Sequence, residues 1–208
     1  MSDFIQFKPV QLSETPPEDT ADISAACIRL TECNLLSSYE GTSIIGSNGN
    51  VSKRQGAGFI ITSTQLPTKQ NLGPRDFVHI EKYTEGETHF HGSKLPSSEC
   101  LMHLHLFESF PDIQAIVHVH ESNDLLYGEN SRACWTDLGI VETAEDVKGG
   151  TIAVGEATAE AFTEESLYVI LKNHRPDWDP DRTGTVVMGR TLEEATERAI
   201  AVHKGLKQ

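Results

Sequence analysis

The sequence predicts an α/β protein in which helices cover a mixed or antiparallel sheet. Short runs rich in β-branched residues alternate with helix-like stretches along the chain, which indicates both kinds of element. This alternation lacks the regular β-α-β period that a parallel sheet requires. A length of 208 residues allows one sizeable domain with a buried core, and the sequence contains no internal repeat or low-complexity tract.

The N-terminal half of the chain predicts an arm, one helix and several short strands. Residues 1–17 are polar and interrupted by prolines, so we expect a loosely attached arm before a single domain at 18–208. Asp19 or Thr20 is a candidate cap for the first helix. Glycine-rich turns then separate strands expected at 44–45, 59–61 and 76–81. The apolar stripe of the first helix consists of Ile23, Ala26, Cys27, Leu30 and Cys33.

The C-terminal half predicts helices at both of its ends. Residues 97–110 are expected to form a helix with Ser97 or Ser98 as its N-cap, and Pro111 ends it. The last helix begins at Thr191, which forms a T-x-x-E capping box with Glu194. Between them we expect a strand at 115–119, further strands at 137–142, 151–154, 167–172 and 184–188, and a short helix at 156–164.

Composition excludes several classes of function. A net charge of −14 argues against affinity for nucleic acid or an anionic membrane, because both need a basic surface. No apolar stretch is long enough for a membrane span, and the N-terminus lacks a signal-peptide core. The four cysteines are scattered without C-x-x-C spacing, which indicates reduced thiols. We therefore expect a cytoplasmic protein that binds neither nucleic acid nor membrane.

His118 and His120 are the most informative residues for function. They stand two apart after a β-branched run, so they lie on one face of a strand and can bind one metal ion. His174 ends a second apolar strand in the same way and is a candidate third ligand, since catalytic metal sites commonly use three. The alternative for each is an ordinary core, surface or loop histidine.

Two other histidine pairs are less suited to bind a metal ion. His89 and His91 share the two-residue spacing, but they stand in a polar, glycine-flanked stretch that favours a surface hairpin. His103 and His105 stand two apart on a helix, so they point in nearly opposite directions and cannot share one ion.

Polar residues near these histidines have both a structural and a functional interpretation. Glu99, in the first turn of the predicted 97–110 helix, is either a helix-start carboxylate or an acid/base group beside the metal. Ser97 and Ser98 either cap that helix or donate hydrogen bonds to a phosphate. The segment SNGNVSKR at 47–54 offers backbone N–H groups to an anion, although such turns are common.

Together these segments resemble the class II aldolase/adducin family, which includes L-fuculose-1-phosphate aldolase. The resemblance covers residues 20–205, and the order and spacing of its motifs carry it. These motifs are GNVSKR (49–54), KLPSSE (94–99), H-x-x-x-F (103–107), PDIQAIVHVH (111–120), LKNH (171–174) and VVMGRTLEEA (186–195).

The resemblance implies a fold, a cofactor and site residues. The fold would be a three-layer α/β/α arrangement around a central, mainly antiparallel sheet. His118, His120 and His174 would bind one divalent metal ion per subunit, usually zinc. Glu99 would be the catalytic acid/base. The residues that would bind a substrate phosphate are Gly49, Asn50, Thr64, Ser97 and Ser98.

The function that the resemblance implies is a metal-dependent aldolase. It would cleave a sugar phosphate, such as a ketose 1-phosphate, through a metal-stabilised enediolate, and would form a homo-oligomer, usually a tetramer. The alternatives are a dehydratase, decarboxylase or epimerase of the same family, or a non-catalytic adducin-like interaction module. Such modules lose the metal ligands, whereas this chain keeps all three histidines.

The sequence departs from the family pattern at three points. Arg175 replaces the glycine that usually follows the third ligand, and an insertion, PDWDPDRT, precedes Gly184. Gln65 replaces the glycine of a phosphate-binding turn and is expected to hinder close backbone approach. The active-site tyrosines of the aldolases have no clear counterparts, and Tyr127 is the only tyrosine nearby in sequence.

Overall fold

The structure is a computed structural model, and it describes residues 5–38, 46–129, 131–146, 149–163, 166 and 168–208. The strands of these residues are Lys8–Ser13 (β1), Asn50–Gln55 (β2), Gly58–Thr62 (β3), Phe77–Thr84 (β4), Glu87–His91 (β5), Ala115–Ser122 (β6), Ile140–Glu142 (β7), Tyr168–Ile170 (β8) and Arg182–Gly189 (β9). The helices are Ala21–Glu32 (α1), Cys100–Ser109 (α2), Asn123–Tyr127 (α3), Trp135–Leu138 (α4), Ile152–Ala161 (α5) and Leu192–Leu206 (α6).

The strands form one sheet in the order β1-β5-β4-β3-β2-β6-β9-β8-β7. Pairing is antiparallel throughout the middle of the sheet and parallel only at its two edges, β1 with β5 and β7 with β8. The prediction of a mainly antiparallel sheet is therefore confirmed. The pairing places β6, which carries the histidine pair, at the centre between β2 and β9.

Helices cover both faces of the sheet and enclose two cores. Apolar residues of α1 and α6 pack on one face, and those of α2 and α5 pack on the other. Strand β6 serves both cores by the alternation of its side chains: Val117 belongs to the first and Ile116 to the second. This arrangement confirms the predicted three-layer architecture. No helix among the described residues is long and apolar enough to cross a membrane.

The N-terminal segment differs from the expected loose arm. Residues Lys8–Ser13 are an edge strand paired in parallel with β5, and Phe7 is buried in the core beneath it. Side chains reinforce the pairing, since Lys8 Nζ lies 2.6 Å from Glu87 and Ser13 Oγ lies 2.9 Å from His91 Nδ1. A polar, half-exposed edge strand carries little hydrophobic periodicity, which is why the sequence pattern did not reveal it.

Strands β2 and β5 were also not predicted. The polar sequence of β2, NVSKRQ, indicated a turn, yet pairing with β3 and β6 on both sides makes it a central strand. Strand β5 contains the THFH stretch, whose assignment to a hairpin is correct because β5 pairs with β4. The strand expected at 44–45 lies outside the described residues.

Three boundaries differ in the C-terminal half. Residues 151–154, expected as a strand, begin helix α5, because Val154 and Gly155 pack this segment on α2. The expected strand 137–142 is divided between α4 and β7. Helix α2 begins at Cys100 with Glu99 as its N-cap residue, so Ser97 and Ser98 do not cap it. Residues 164 and 167, the ends of two predicted elements, lie outside the described residues.

The capping of α6 matches its sequence signature in part. Thr191 Oγ1 accepts a hydrogen bond from the Glu194 N–H at 3.0 Å. The Glu194 carboxylate accepts from the backbone N–H of Arg190 at 2.7 Å, one residue before the cap. The first bond satisfies a donor of the first helical turn, and the second satisfies the N–H of the residue before the cap.

We predict that Thr191→Ala lowers the free energy of unfolding by about 1 kcal/mol, because the Glu194 N–H loses its acceptor. Urea unfolding followed by circular dichroism measures the change. Thr191→Ser keeps the hydroxyl and should retain most of the stability. An equal loss in both variants would show that the methyl group, not the cap, is responsible.

Candidate functional site

The site begins with the two histidines on β6. Alternation along the strand directs His118 and His120 to the face covered by α2, and they are 1 % and 5 % exposed. Their Nε2 atoms lie 3.3 Å apart. At this distance the two nitrogens can either share one proton in a hydrogen bond or bind one metal ion.

His174 joins this pair from the turn after β8. The turn is held to β9 by two backbone hydrogen bonds, Leu171 N–H to the Gly184 carbonyl at 2.9 Å and Gly184 N–H to the His174 carbonyl at 2.8 Å. The His174 ring centroid is 5.3 Å from that of His118 and 5.6 Å from that of His120. The structure thus brings all three predicted histidines together.

The histidine cluster fits a divalent metal ion. One nitrogen from each ring lies within 4.8 Å of the others, and no other such group of ligands occurs in the described part of the chain. A tetrahedral site with metal–nitrogen distances of about 2.0–2.1 Å has an edge of about 3.3 Å, which matches the His118–His120 separation. His118 Nδ1–H donates to the Thr185 carbonyl at 3.0 Å, which directs its Nε2 lone pair to the cluster.

Electrostatics favours the protonation state that a metal ligand needs. Burial lowers the pKa of His118 well below its usual value, and the neighbouring imidazoles lower it further. Burial, His174, Lys69 and Arg182 lower the pKa of His120 in the same way. Both rings are therefore neutral at neutral pH, with lone pairs available for coordination.

Glu99 lies beside the three histidines at the start of α2. Its carboxylate Oε1 is 3.9 Å from His174 Nε2, and its Oε2 has no hydrogen-bond partner. The side chain is 9 % exposed. A carboxylate with one oxygen free of protein partners therefore lies beside the cluster, at a helix N-terminus that favours negative charge.

Gly149 closes this part of the site. A Cβ atom at this residue would lie 2.7 Å from His174 Cε1 and 2.9 Å from Glu99 Oε1, so the backbone contacts both residues directly. Sequence reasoning missed Gly149; the Gly149-Gly150 dipeptide was the available signal. Only glycine permits this close approach of the main chain.

The Gly49–Asn50 turn lies directly beside the histidines. Asn50 pairs with His118 across the sheet, and its Oδ1 has no protein partner. Gly49 has φ +69°, and a Cβ there would lie 2.3 Å from the His118 carbonyl oxygen. Both conditions require glycine. Because of this contact, a ligand on the metal centre lies within reach of the turn.

The other predicted phosphate-binding residues adjoin this turn. Ser47 Oγ donates to the Leu66 carbonyl at 2.8 Å, and Thr64 N–H donates to the Leu95 carbonyl at 3.0 Å. These bonds connect the turns that hold Gly49, Thr64 and Ser97. Ser97 is buried and Ser98 is half-buried. We name these three adjoining segments the anion cradle: 47–50, 62–66 and 95–98.

Gln65 keeps the backbone conformation that glycine would provide. Its φ is +55°, in the left-handed region, and its side chain is exposed. A non-glycine residue there costs roughly 1–3 kcal/mol of strain. The left-handed turn therefore forms without glycine, and the only expected hindrance comes from the exposed Gln65 side chain at the rim of the turn.

The insertion packs on the anion cradle. Asn48 Nδ2 donates to Asp179 Oδ2 at 2.5 Å, and Asp179 forms an ion pair with Arg182 at 3.6 Å. Arg182 also donates to the carbonyl of His120 at 2.9 Å. The insertion thus joins the cradle to the histidine strand. Sequence reasoning identified the insertion but not this contact.

The remaining candidates lie outside the cluster. His91 bridges Ser13 and Glu81 near the sheet edge, while His103 is buried with its Nδ1 2.6 Å from Ser52 Oγ. Tyr127 donates its hydroxyl to Glu142 at 2.7 Å. That hydroxyl is engaged in a structural contact. The structure also shows His89 close to Glu87 and His105 packed against α5.

Comparison with known proteins identifies the family. The model of the "Class II Aldolase and Adducin N-terminal domain" matches residues 29–208. A 5-methylthioribulose-1-phosphate/5-deoxyribulose-1-phosphate aldolase of Rhodospirillum rubrum is 29% identical over 170 residues, 78% of this chain and 71% of that protein. The L-fuculose phosphate aldolase of Escherichia coli is 40% identical over 78 residues, 36% of this chain and 33% of that protein. A sugar-phosphate aldolase structure from Thermotoga maritima superposes with TM-score 0.66 at 20% identity, covering 89% of this chain and 90% of that one.

Gly184 provides a test of the metal-binding geometry. A Cβ there would lie 2.3 Å from His174 Cδ2 and 2.9 Å from His118 Cε1, so Gly184→Ala should displace both rings. We expect zinc affinity to fall by at least tenfold, measured by competition with a chromogenic chelator. Gly73→Ala is the matched control, since the nearest atom to its Cβ is 3.9 Å away. Unchanged affinity in Gly184→Ala would contradict the geometry.

His103 predicts a pH dependence of stability. Burial lowers the pKa of His103 to about 3 in the folded protein, whereas in the unfolded chain it returns to about 6.5. Below pH 6.5 the unfolded chain therefore binds an extra proton, and stability falls as pH falls. When the pH falls from 7.5 to 5.5, the free energy of unfolding of the metal-free wild type should decrease by about 1.4 kcal/mol more than that of the His103→Gln variant. Urea unfolding at both pH values measures this, and equal losses would refute it.

Proposed function

Since the chain belongs to the class II aldolase and adducin family, we propose that it is a metal-dependent aldolase that cleaves a sugar phosphate such as a ketose 1-phosphate. One observation carries the proposal: the imidazoles of His118, His120 and His174 converge, with the Glu99 carboxylate at their side. Relatives named as aldolases of sugar phosphates support it. A non-catalytic module needs neither the cluster nor a free carboxylate facing it.

The proposed cofactor is one zinc ion per subunit, held by His118, His120 and His174. Imidazole nitrogens suit zinc, and the 3.3 Å spacing of two of them agrees with a tetrahedral site. A bound divalent ion would supply Lewis-acid stabilisation of negative charge on the substrate oxygens. The protein's own contribution is to keep the rings neutral, oriented and shielded from bulk water.

Glu99 is the proposed acid/base. Aldol cleavage requires a proton to leave a hydroxyl group and a proton to reach the carbon that retains the bonding electrons. Glu99 lies beside the cluster and its Oε2 has no partner in the protein, so this oxygen is suited to carry the proton at carbon. Oε1 lies near His174, and the backbone of Gly149 covers this side of the carboxylate. The carboxylate is thereby fixed while one oxygen stays free.

The anion cradle is the proposed site of the substrate phosphate. Backbone N–H groups in left-handed turns and hydroxyl groups suit an anion, and the candidates are Gly49, Asn50, Thr64, Ser97 and Ser98. The contact of Gly49 and Asn50 with His118 supports a phosphate site next to the end of the substrate that would bind the metal. A short ketose 1-phosphate has this arrangement of groups.

We further infer a cytoplasmic homotetramer with active sites at subunit boundaries, which binds neither nucleic acid nor membrane. The tetramer follows from the family resemblance, and the net charge of −14 supports the absence of nucleic-acid and membrane partners. Tyr127 donates its hydroxyl to Glu142, so we assign it no catalytic role.

Retro-aldol turnover tests the function. Zinc-loaded protein is assayed against a panel of ketose 1-phosphates with dihydroxyacetone phosphate as the readout. We expect turnover that chelation abolishes and zinc restores. Glu99→Gln should lower kcat by roughly 10²–10⁴-fold while zinc content stays unchanged, because the histidines keep their positions.

Glu108→Gln is the matched control, since Glu108 is exposed on the same helix. An active Glu99→Gln enzyme would remove Glu99 from the mechanism. No turnover by the zinc-loaded wild type would refute the aldolase proposal. The assays would then turn to dehydration, decarboxylation or epimerisation of the same sugars.

A further inference from the structure

A buried lysine lies behind the anion cradle. Lys69 is 2 % exposed, and its Nζ donates to the Ser47 carbonyl at 3.0 Å, to Ser47 Oγ at 2.7 Å and to the Asn48 carbonyl at 3.1 Å. These three bonds use all the donors of the ammonium group. All three acceptors are neutral oxygens, so the ammonium group has all its hydrogen bonds but no anionic partner.

No described residue supplies a counter-charge to Lys69. The buried thiol of Cys27 acts on Lys69 electrostatically, but burial raises the pKa of that thiol to about 12, so it is neutral. Asp179 accepts a hydrogen bond from the side-chain amide of Asn48 and forms an ion pair with Arg182. Burial lowers the pKa of Lys69 to about 8, the effect expected of a desolvated cation without an anionic partner.

Lys69 also links two segments of the cradle. It donates to Ser47 Oγ, which in turn donates to the Leu66 carbonyl at 2.8 Å. Ser47 and Asn48 lead directly into Gly49 and Asn50, which border His118. The cation therefore lies directly behind the backbone of the cradle.

We propose that Lys69 is a positioning residue of the anion cradle and that the anionic group of the substrate supplies the counter-charge that Lys69 lacks. The proposal rests on the proposed function for the location of the phosphate. Lys69 acts through the Ser47–Asn48 backbone that it holds and through its positive field, because its donors are already engaged. A doubly charged phosphate gains most from such a field in a site of low dielectric constant.

Lys69→Met tests the inference, because methionine retains the apolar stem and removes the charge. Inorganic phosphate binding to the zinc-loaded protein is measured by calorimetry. We expect the affinity to fall roughly tenfold or more, and KM for an accepted sugar phosphate to rise more than kcat falls. Lys82→Met, which removes an exposed lysine of β4, is the charge-matched control and should bind phosphate as the wild type does.

Wild-type phosphate affinity in a folded, zinc-loaded Lys69→Met protein would overturn the inference and leave Lys69 a structural residue. If this variant fails to fold, nitrogen-15 NMR of labelled lysine in the wild type decides. Phosphate must then raise the pKa of Lys69, and an unchanged value overturns the inference. Phosphate binding without retro-aldol turnover would refute the aldolase proposal alone, so the two failures are distinguishable.

Discussion

The alternation of side chains along β6 is the constraint on which the rest of the structure depends. Residues such as Val117 and Val119 fill the core beneath α1 and α6, so His118 and His120 must face α2. A shift of one residue in the pairing of β6 with β2 and β9 would bury the imidazoles in the wrong core. The hydrophobic core and the metal centre therefore specify the same register.

Several polar atoms buried at the site lack a hydrogen-bond partner in the protein. Among the described residues, buried polar atoms without a protein partner include Asn50 Oδ1 and Glu99 Oε2, which border the histidine cluster, and His120 Nδ1 within it. Such atoms destabilise a folded protein. Ligands bound at the site would supply some of the missing partners, and the well-paired sheet around the site offsets the cost.

Much of this site was predictable because its residues stand at fixed intervals on regular elements. The spacing of His118 and His120 and the end of an apolar strand at His174 were sufficient to indicate the cluster. Polar strands were not predictable, since β1 and β2 owe their conformation to neighbours distant in sequence. Gly149 and Lys69 were missed because their roles depend on tertiary contacts: the Gly149-Gly150 dipeptide indicates a turn but not its contact with Glu99, and no local pattern connects Lys69 to Ser47.

Two departures from the family pattern contact the cradle. Gln65 occupies a left-handed turn at its rim, and the insertion holds the Asn48 side chain through Asp179 while Lys69 holds the Asn48 carbonyl. A third departure, Arg175, directly follows His174. The histidine cluster and Glu99 retain the family's residue types. Chemistry at the metal is therefore the shared part of the proposed function. The distinguishing part lies in how tightly, and in what orientation, the cradle holds the charged end of the substrate, since small changes of position there alter the alignment of the reacting carbons.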